Sequence, residues 1–284
     1  MAEELWTIAR VLKWTQGRFA ERGLPTARLD AEVLLARVLG RDRVGLYTHF
    51  DQPLAAEELA AFRALIKRRL AGEPVAYLVG MREFRSIELA VDPRVLIPRP
   101  DTETLVECAL ELLPPIGAEG PRVVDVGTGS GAIAIAVAIA RPDAVVEAVD
   151  RSADALAVAQ ANGARHAPRV VFHLGDLLGP VGLGRIDLVL SNPPYIPTAE
   201  LATLQPEVQR EPRLALDGGV DGLEIVRRLV GAVRERLTPG AALAIEIGAG
   251  QADAVEALFG ASGFAERRRW KDLGGIDRVV SGRR

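Results

Sequence analysis

The chain has 284 residues, 49% hydrophobic and 26% charged, which are proportions of an ordinary globular protein large enough for two domains. No apolar run approaches the roughly 18 residues of a membrane span, and the acidic start MAEEL is unlike a signal peptide, so we expect a cytoplasmic protein without a membrane partner. A single cysteine excludes an internal disulfide, three scattered histidines lack metal-ligand spacing, so no metal is expected, and a net charge of −3 argues against general nucleic-acid binding.

Residues 1–75 predict a small helical bundle. Leu5, Ile8, Leu12 and Phe19 recur at helical spacing, and the pattern is repeated after two prolines. Trp6 and Trp14 are eight residues apart, which favours a place in the bundle core; the alternative is an exposed aromatic anchor for a partner.

Residues 76–98 predict a hairpin linker, because EFRSIELAVD alternates apolar and polar side chains. Residues 99–284 predict an α/β domain, since strand-like runs alternate with helical segments. The predicted parallel strands are 123–126, 145–149, 170–174, 186–190 and 241–247. The last two candidates, 264–270 and 278–280, have no helix between them, so we expect an antiparallel edge hairpin on a doubly wound, mostly parallel sheet.

A glycine-rich loop, VVDVGTGSGAIA, follows the first of these strands. Gly127, Gly129 and Gly131 alternate, and Asp125 precedes them. An acid beside the helix N-terminus would repel the pyrophosphate of a dinucleotide. S-adenosylmethionine has no phosphate but carries a cationic ammonium and a cationic sulfonium, so the acid favours this cofactor.

Two further acids follow the next two strands. Asp150 ends the second strand, where a carboxylate can accept hydrogen bonds from both ribose hydroxyls. Asp176 and Leu177 follow the third strand and are placed to meet the adenine at its amino edge and its face. Asp176 can instead be a turn or capping residue.

The stretch SNPPYIP follows the fourth strand. Pro193 and Pro194 fix φ and remove two backbone donors, so the side-chain oxygen of Asn192 and the carbonyl of Pro193 can accept both N–H groups of a planar nitrogen. Tyr195 covers the face of that acceptor, or only packs the loop. Orienting two reactants gains roughly 7–11 kcal/mol, against roughly 3–5.5 for a general base, so we interpret Asn192 as a positioning group.

These motifs, together with the upstream LIPRPDTE, resemble the class I, Rossmann-like methyltransferases of the HemK/PrmC type, which modify a glutamine of peptide chain release factors. The resemblance implies N5-methylation of the glutamine in the Gly-Gly-Gln motif of class 1 release factors, with S-adenosylmethionine as donor and S-adenosylhomocysteine as product. It also suggests that the N-terminal bundle docks the release factor.

The resemblance further implies site residues. The cofactor would contact the glycine loop and the strand ends, namely Gly127, Thr128, Gly129, Ser130, Gly131, Asp150, Leu177 and Asn192, with Asp176 added from its position. Asn192, Pro193, Pro194 and Tyr195 would hold the glutamine, and Asn192, Pro193 and Tyr195 are the catalytic candidates. Arg99 lies in a loop near the site, as a functional residue or as a linker salt bridge.

Three alternatives remain open from the sequence. A glutamine methyltransferase acting on a ribosomal protein needs the same loop. An adenine N6-methyltransferase needs a basic groove, for which IKRRL (66–70) and ERRRWK (266–271) are the candidates, although we expect no direct nucleic-acid substrate. A cofactor-binding module without catalysis leaves the Asn-Pro-Pro-Tyr loop unused. The sequence does not fix the preferred release factor or the oligomeric state.

Overall fold

A computed structural model describes residues 5–117 and 120–284, which divide into two compact units. The first unit comprises Met1–Gly80 with Gln205–Arg210, and the second comprises Met81–Leu204 with Glu211–Arg284. Residues 1–4 of the predicted bundle and residues 118–119 of the predicted α/β domain lie outside the described residues. Among the helices described, none is both long and apolar enough to cross a membrane.

In its described residues, the first unit is a bundle with five α-helices. They are α1 (Ile8–Glu21), α2 (Ala27–Leu39), α3 (Arg43–Thr48), α4 (Ala56–Leu70) and α5 (Val75–Val79). Thr7 begins α1 by accepting a hydrogen bond from the Arg10 amide, and Asp42 begins α3 in the same way through the Gly45 amide. Ile8, Phe19 and Phe62 belong to the shared apolar core.

The two tryptophans of the bundle meet edge to face, with ring centroids 6.5 Å apart. Trp6 is partly buried against the core, whereas 53% of Trp14 is exposed. The prediction of a core position is therefore wrong for Trp14, because the buried stripe of α1 contains Val11, Thr15 and Phe19 and leaves Trp14 to one side.

A buried ion cluster binds the short segment Gln205–Arg210 to this unit. Arg69 on α4 is 1% exposed, and its Nε lies 2.7 Å from Asp30 Oδ2 while its Nη2 lies 2.6 Å from Glu207 Oε1. Asp30 is buried as well. Since a buried charge without a partner is costly, these three side chains fix one another and hold the segment.

The second unit begins with the hairpin of β1 (Met81–Phe84) and β2 (Ile87–Ala90). Arg85 and Ser86 form its two-residue turn with φ of 48° and 61°, the left-handed values that the right-handed twist of a hairpin favours.

The remaining seven strands form one sheet in the order β5-β4-β3-β6-β7-β9-β8. They are β3 (Arg122–Val126), β4 (Val145–Asp150), β5 (Val171–Leu174), β6 (Leu188–Ser191), β7 (Ala242–Glu246), β8 (Ala265–Lys271) and β9 (Asp277–Arg283). β3 to β7 are parallel, and β9 is antiparallel to both β7 and β8. The predicted doubly wound sheet with an antiparallel edge hairpin is confirmed.

Helices cover both faces of this sheet. They are α6 (Glu103–Leu112), α7 (Ala132–Ala140), α8 (Ala153–His166), α9 (Glu224–Arg236) and α10 (Ala252–Ala261). Val123 and the side chains of α6 and α7 share one core, whereas Val124 and those of α9 and α10 share the other. The strand order reverses between β3 and β6, and ligands of open α/β sheets bind at such a point, beyond the carboxyl ends of the strands.

Candidate active site

A cavity of about 760 Å³ opens at the carboxyl ends of β3 to β6. It brings together eight of the predicted site residues, which come from four separate segments of the chain. These are Gly127, Gly129, Asp150, Asp176, Leu177, Asn192, Pro193 and Pro194. Thr128, Ser130, Gly131 and Tyr195 are not among the lining residues.

The glycine loop meets the cavity with bare backbone. Gly127 and Gly129 have φ of +77° and +56°, and a Cβ added to either would meet no atom within 4 Å. A side chain at either position would extend into open space beside the loop, so glycine leaves this space to a ligand and relieves the strain of positive φ. Gly131, with φ of +85°, packs instead against Ala159.

Thr128 and Ser130 support the loop from within. Both are buried, and Thr128 Oγ1 donates a 2.7 Å hydrogen bond to Asp125 Oδ2. The carbonyl of Ser130 accepts a 2.9 Å hydrogen bond from Asn162 Nδ2. These two residues shape the loop from its inner side. The cofactor contacts that the resemblance implies for both residues stay a prediction.

Asp125 lies beneath the loop and is 0% exposed. Burial raises its pKa to about 7, whereas the hydrogen bond from Thr128 and the neighbouring Ala134 amide lower it. Its Oδ1 has no hydrogen-bond partner within the described part of the chain. The acid that the sequence placed beside the cofactor's positive charges therefore acts first as a support of the glycine turn.

Asp150 connects the end of β4 to the glycine loop. Its Oδ2 accepts a 2.9 Å hydrogen bond from the Gly129 amide, and its Oδ1 accepts one of the same length from the Ser152 amide. A carboxylate oxygen has more than one acceptor site, so both oxygens can also receive hydroxyl groups from the cavity.

Asp176 and Leu177 follow β5 at the far side of the cavity. Asp176 forms an ion pair with Arg228, and its carbonyl accepts a hydrogen bond from the Gly179 amide, so it is also a turn residue. Leu177 has a φ of 50°, a conformation that costs a residue with a side chain roughly 1–2 kcal/mol. Such strain is often found where a side chain must face a ligand.

Asn192 stands directly after β6. Ser191 Oγ donates a 2.7 Å hydrogen bond to the Val126 carbonyl, which joins the end of β6 to the start of the glycine loop. The Nδ2 of Asn192 donates to Thr102 Oγ1 at 3.3 Å. Neither Asn192 Oδ1 nor the Pro193 carbonyl accepts a hydrogen bond from a described residue. Two acceptors therefore remain for a ligand.

The Asn-Pro-Pro-Tyr loop is held by a second glycine-rich segment, residues 216–222. The Ile196 amide donates to the Leu216 carbonyl at 3.1 Å, and the Gly218 amide donates to the Ile196 carbonyl at 2.8 Å. A Cβ on Gly222 would lie 2.3 Å from the Tyr195 carbonyl oxygen. This segment consequently approaches the loop more closely than any residue other than glycine allows.

Tyr195 sits among charged side chains next to the cavity. Burial raises the pKa of its phenol to about 12, with Glu246, Arg278, Arg99 and Asp101 as the charged neighbours. The phenol is thus neutral near neutral pH and has the character of a packing or hydrogen-bonding group.

Arg99 forms an ion pair with Glu211, which is 5% exposed. Glu211 Oε2 also accepts a 3.0 Å hydrogen bond from the Ile97 amide. The structure therefore supports the salt-bridge interpretation of Arg99, in which it secures the loop that precedes α6.

Sequence reasoning missed two groups next to Asn192, Thr102 and Glu246. Both are buried; Thr102 Oγ1 accepts the 3.3 Å hydrogen bond from Asn192, and Glu246 ends β7, the strand that pairs with β6. A charged residue inside the apolar run ALAIEIG was the available signal for Glu246, because glutamate is rarely fully buried without a function or a partner.

The two basic runs pair with acids. In the first, Arg68 pairs with Glu73, and Arg69 is buried in the cluster described above. In the second, Arg268 pairs with Glu111, and Arg269 pairs with Asp253 and Glu256. Most of the charge that a nucleic-acid groove would use is thereby neutralised.

Comparison with known proteins agrees with this geometry. The PrmC N-terminal domain family matches residues 10–80, and the methyltransferase small domain family matches residues 102–209. A release factor glutamine methyltransferase of Geobacter sulfurreducens is 51% identical, over 99% of this chain and 98% of its own. Its counterpart in Bordetella pertussis is 47% identical, over 93% of this chain and 96% of its own.

Among solved structures, the human Mettl16 catalytic domain in complex with the MAT2A 3′UTR hairpin 1 has a TM-score of 0.60. It is 14% identical and covers 82% of this chain and 92% of its own. At this identity the likeness concerns the fold alone.

Proposed function

Because the chain belongs to the family of release factor glutamine methyltransferases, we propose that it transfers a methyl group to the side-chain amide nitrogen of the glutamine in the Gly-Gly-Gln motif of class 1 release factors. The observation that carries this proposal is the pair of acceptors, Asn192 Oδ1 and the Pro193 carbonyl, at the end of β6. Both belong to residues that line the same cavity as the glycine loop.

The residues of the β3 to β5 side fit S-adenosylmethionine, which supplies an electrophilic methyl group on a sulfonium when bound. Gly127 and Gly129 leave open space where a side chain would stand. Asp150 offers two carboxylate oxygens for a vicinal diol, and Leu177 offers an apolar face. Thr128, Ser130 and Gly131 would act by shaping the loop. Asp176 would contribute less, since Arg228 already pairs with it.

The residues of the β6 side fit a primary amide. Its nitrogen is planar and carries two N–H donors, which match the two acceptors of Asn192 and Pro193. Holding both protons orients the nitrogen toward the cofactor side without removing a proton beforehand. Pro194 stiffens the loop, and Tyr195 lies beside the loop as a neutral side chain.

A glutamine acceptor is favoured over adenine by two features of the chain. The basic runs that an adenine methyltransferase would need are mostly paired with acids. The relatives that match over nearly the whole chain are glutamine methyltransferases of release factors. A glutamine of a ribosomal protein would fit the same two acceptors, so this alternative needs an experiment.

The test is transfer of a labelled methyl group from S-adenosylmethionine. A class 1 release factor, the same factor with the tripeptide glutamine changed to glutamate, ribosomal proteins and total RNA are offered separately. We expect label on the unchanged release factor alone, with a mass increase of one methyl group on the tryptic peptide that contains the motif. Label on RNA, on a ribosomal protein, or equally on both release factors would contradict the proposal.

We further propose that residues 1–75 dock the release factor, that 76–98 act as the linker, and that 99–284 carry the chemistry in the cytoplasm, where release factors work. The exposed ring of Trp14, supported by Trp6, is the aromatic surface that favours docking. Trp14→Ala should raise KM for the release factor while the Kd for S-adenosylmethionine stays unchanged. An unchanged KM would contradict this role of the bundle.

A further inference from the structure

Glu246 is a buried acid that the proposed chemistry does not yet use. It ends β7, a strand in which every residue is buried, and it is itself 1% exposed. Its Oε2 has no hydrogen-bond partner in the described part of the chain. Buried side-chain oxygens are nearly always paired, so an unpaired one beside an active site needs an explanation.

The neighbours of Glu246 connect it to the acceptor site. Ser191 pairs with Ile245 in the parallel register of β6 and β7, which brings Asn192 and Glu246 to the same edge of the sheet. The side chains of Thr102 and Asn192 are polar neighbours of the Glu246 carboxylate, and both lower its pKa. Asn192 Nδ2 also donates to Thr102 Oγ1 at 3.3 Å.

We propose that Glu246, together with Thr102, is a positioning residue that fixes which end of the Asn192 amide faces the methyl acceptor. The inference rests on the proposed function of Asn192. An ionised carboxylate can only accept hydrogen bonds, so it selects the orientation in which the NH₂ of Asn192 points toward Glu246. In the opposite orientation, Asn192 Oδ1 would face the carboxylate, and two acceptors would repel each other. The NH₂ of Asn192 would then face the amide nitrogen of the substrate, which has only N–H donors to offer.

The protonation state of Glu246 decides this selection. Burial raises its pKa to about 7, and Asp101 also raises it, whereas the neighbouring Thr102 and Asn192 side chains and the charge of Arg278 lower it. Arg278 itself is shared between Asp101, at 3.1 Å, and Asp272, at 2.9 Å. The phenol of Tyr195 is another titratable neighbour and stays neutral through this range. Below about pH 7 the carboxyl group gains a proton to donate, and the amide of Asn192 loses its preferred orientation.

Glu246→Gln tests the inference, because glutamine is neutral, has nearly the same volume and can donate as well as accept. We expect kcat at pH 8 to fall by about 10- to 100-fold, with KM for S-adenosylmethionine nearly unchanged, because a misplaced orienting group costs rate. The wild-type rate should fall as the pH drops below about 7, and this acid limb should be absent in the variant. The melting temperature at pH 8 should stay the same or rise, since a buried charge is removed; a purely structural role would lower it.

Thr102 offers a matched pair of variants. Thr102→Val keeps the shape and removes the hydroxyl, so it should lower kcat, and Thr102→Ser should restore much of the loss. If Glu246→Gln retains kcat within about twofold, or keeps the same acid limb, the positioning role is wrong.

A second readout does not depend on the methyl acceptor. The side-chain NH₂ signal of Asn192, assigned by its loss in Asn192→Ala, should titrate with an apparent pKa near 7 in the wild type and not in Glu246→Gln. A titrating signal without methylation of the release factor would overturn the proposed function alone. Methylation of the release factor with a signal that does not titrate would overturn the role of Glu246 alone.

Discussion

The two sides of the cavity differ in the groups that line them, backbone on one side and side chains on the other. On the side of β3 to β5, the surface is formed mainly by backbone in unusual conformations, with positive φ at Gly127, Gly129 and Leu177. On the side of β6 and β7, it is formed by a stiff proline loop and by side chains that hold one another, Asn192 and Thr102 with Glu246 behind them.

This difference suggests a division of labour between affinity and rate. The exposed backbone and the Asp150 carboxylate can form hydrogen bonds with the polar groups of the cofactor. Changes there should therefore alter mainly the affinity for the cofactor. A pair of fixed acceptors matters most when the reacting nitrogen must be aligned, so changes there should alter mainly kcat. The two sides can therefore be separated by measuring Kd and kcat on the same variants.

Asn192→Ala should give the largest separation. Loss of one fixed acceptor leaves the amide nitrogen free to rotate, and we expect kcat to fall by about 10³-fold, as for other positioned hydrogen-bonding groups. The Kd for S-adenosylmethionine, from calorimetric titration, should change by no more than several-fold.

Thr203→Ala is the control for this variant, because Thr203 is an exposed hydroxyl residue further along the same connection and its Oγ1 donates to the Glu200 carbonyl. It should match the wild type in both constants. Turnover of Asn192→Ala within about fivefold of the wild type would refute the alignment argument.

Asp125→Asn tests whether the buried acid beneath the glycine loop lowers the stability of the cofactor side. The folded-state pKa of about 7 lies above the ordinary value of 3.8, so the folded state prefers the neutral acid. Stability from this group is full below about pH 4 and is lost as the pH rises through about 7. The free energy of unfolding of the variant at pH 8 should therefore exceed that of the wild type by about 4 kcal/mol.

The measurement is urea unfolding of both proteins at pH 5 and pH 8 without cofactor. Asparagine keeps an acceptor for Thr128, so the glycine turn is preserved. Glu246 titrates in the same direction and leaves a residual slope in the variant. Parallel curves for the two proteins would show that Asp125 does not carry the buried charge.

Gly222→Ala should damage the acceptor side through the backbone. The new Cβ would lie 2.3 Å from the Tyr195 carbonyl oxygen, which also accepts a 3.0 Å hydrogen bond from Gln251 Nε2. The Asn-Pro-Pro-Tyr loop must shift, and we expect kcat to fall by about 30-fold, or about 2 kcal/mol.

Gly263→Ala is its matched control, since Gly263 has a φ of +82° and a Cβ there meets no atom within 4 Å. It should lose only the stability that positive φ costs an alanine, about 1 kcal/mol, with normal kcat. Equal losses of kcat in both variants would mean that the close approach to Tyr195 has no special role.

Much of this site was predictable because its residues follow strands, and the carboxyl ends of parallel strands share one edge of a sheet. Asp150 and Asn192 were found for this reason. Side chains alternate along a strand, so Asp125 lies on the same face of β3 as the buried Val123 and points inward. Treating Asp125 as part of the glycine-loop motif did not predict this burial. Arg69 follows Phe62 and Ile66 at helical spacing and therefore lies on the buried face of α4. Its basic neighbours in the sequence instead suggest a solvent-exposed basic patch.

The link between Thr102 and Glu246 could not be predicted, because it depends on tertiary structure. Thr102 precedes α6 and Glu246 ends β7, and only the register of β6 against β7 and the path of the preceding loop bring both to Asn192. No local pattern in the chain contains that information.

Asp150→Ala should have the smallest of these effects, and it lies wholly on the cofactor side. The change removes acceptors for two ribose hydroxyls and for the Gly129 and Ser152 amides. We expect the Kd for S-adenosylmethionine to rise by about 10- to 30-fold, or roughly 1.5–2 kcal/mol, with kcat nearly normal once the cofactor saturates the enzyme.

Asp176→Ala sharpens this last comparison, because both acids line the same cavity and only one of them is held by the glycine loop. The Asp176 carboxylate pairs with Arg228 and is half exposed, so its loss should raise the Kd by less than about threefold. If the two variants weaken binding equally, Asp176 must leave Arg228 to meet the adenine, as its place after β5 first suggested. If neither does, backbone contacts hold the cofactor without the carboxylates, and affinity depends on the glycine turn alone.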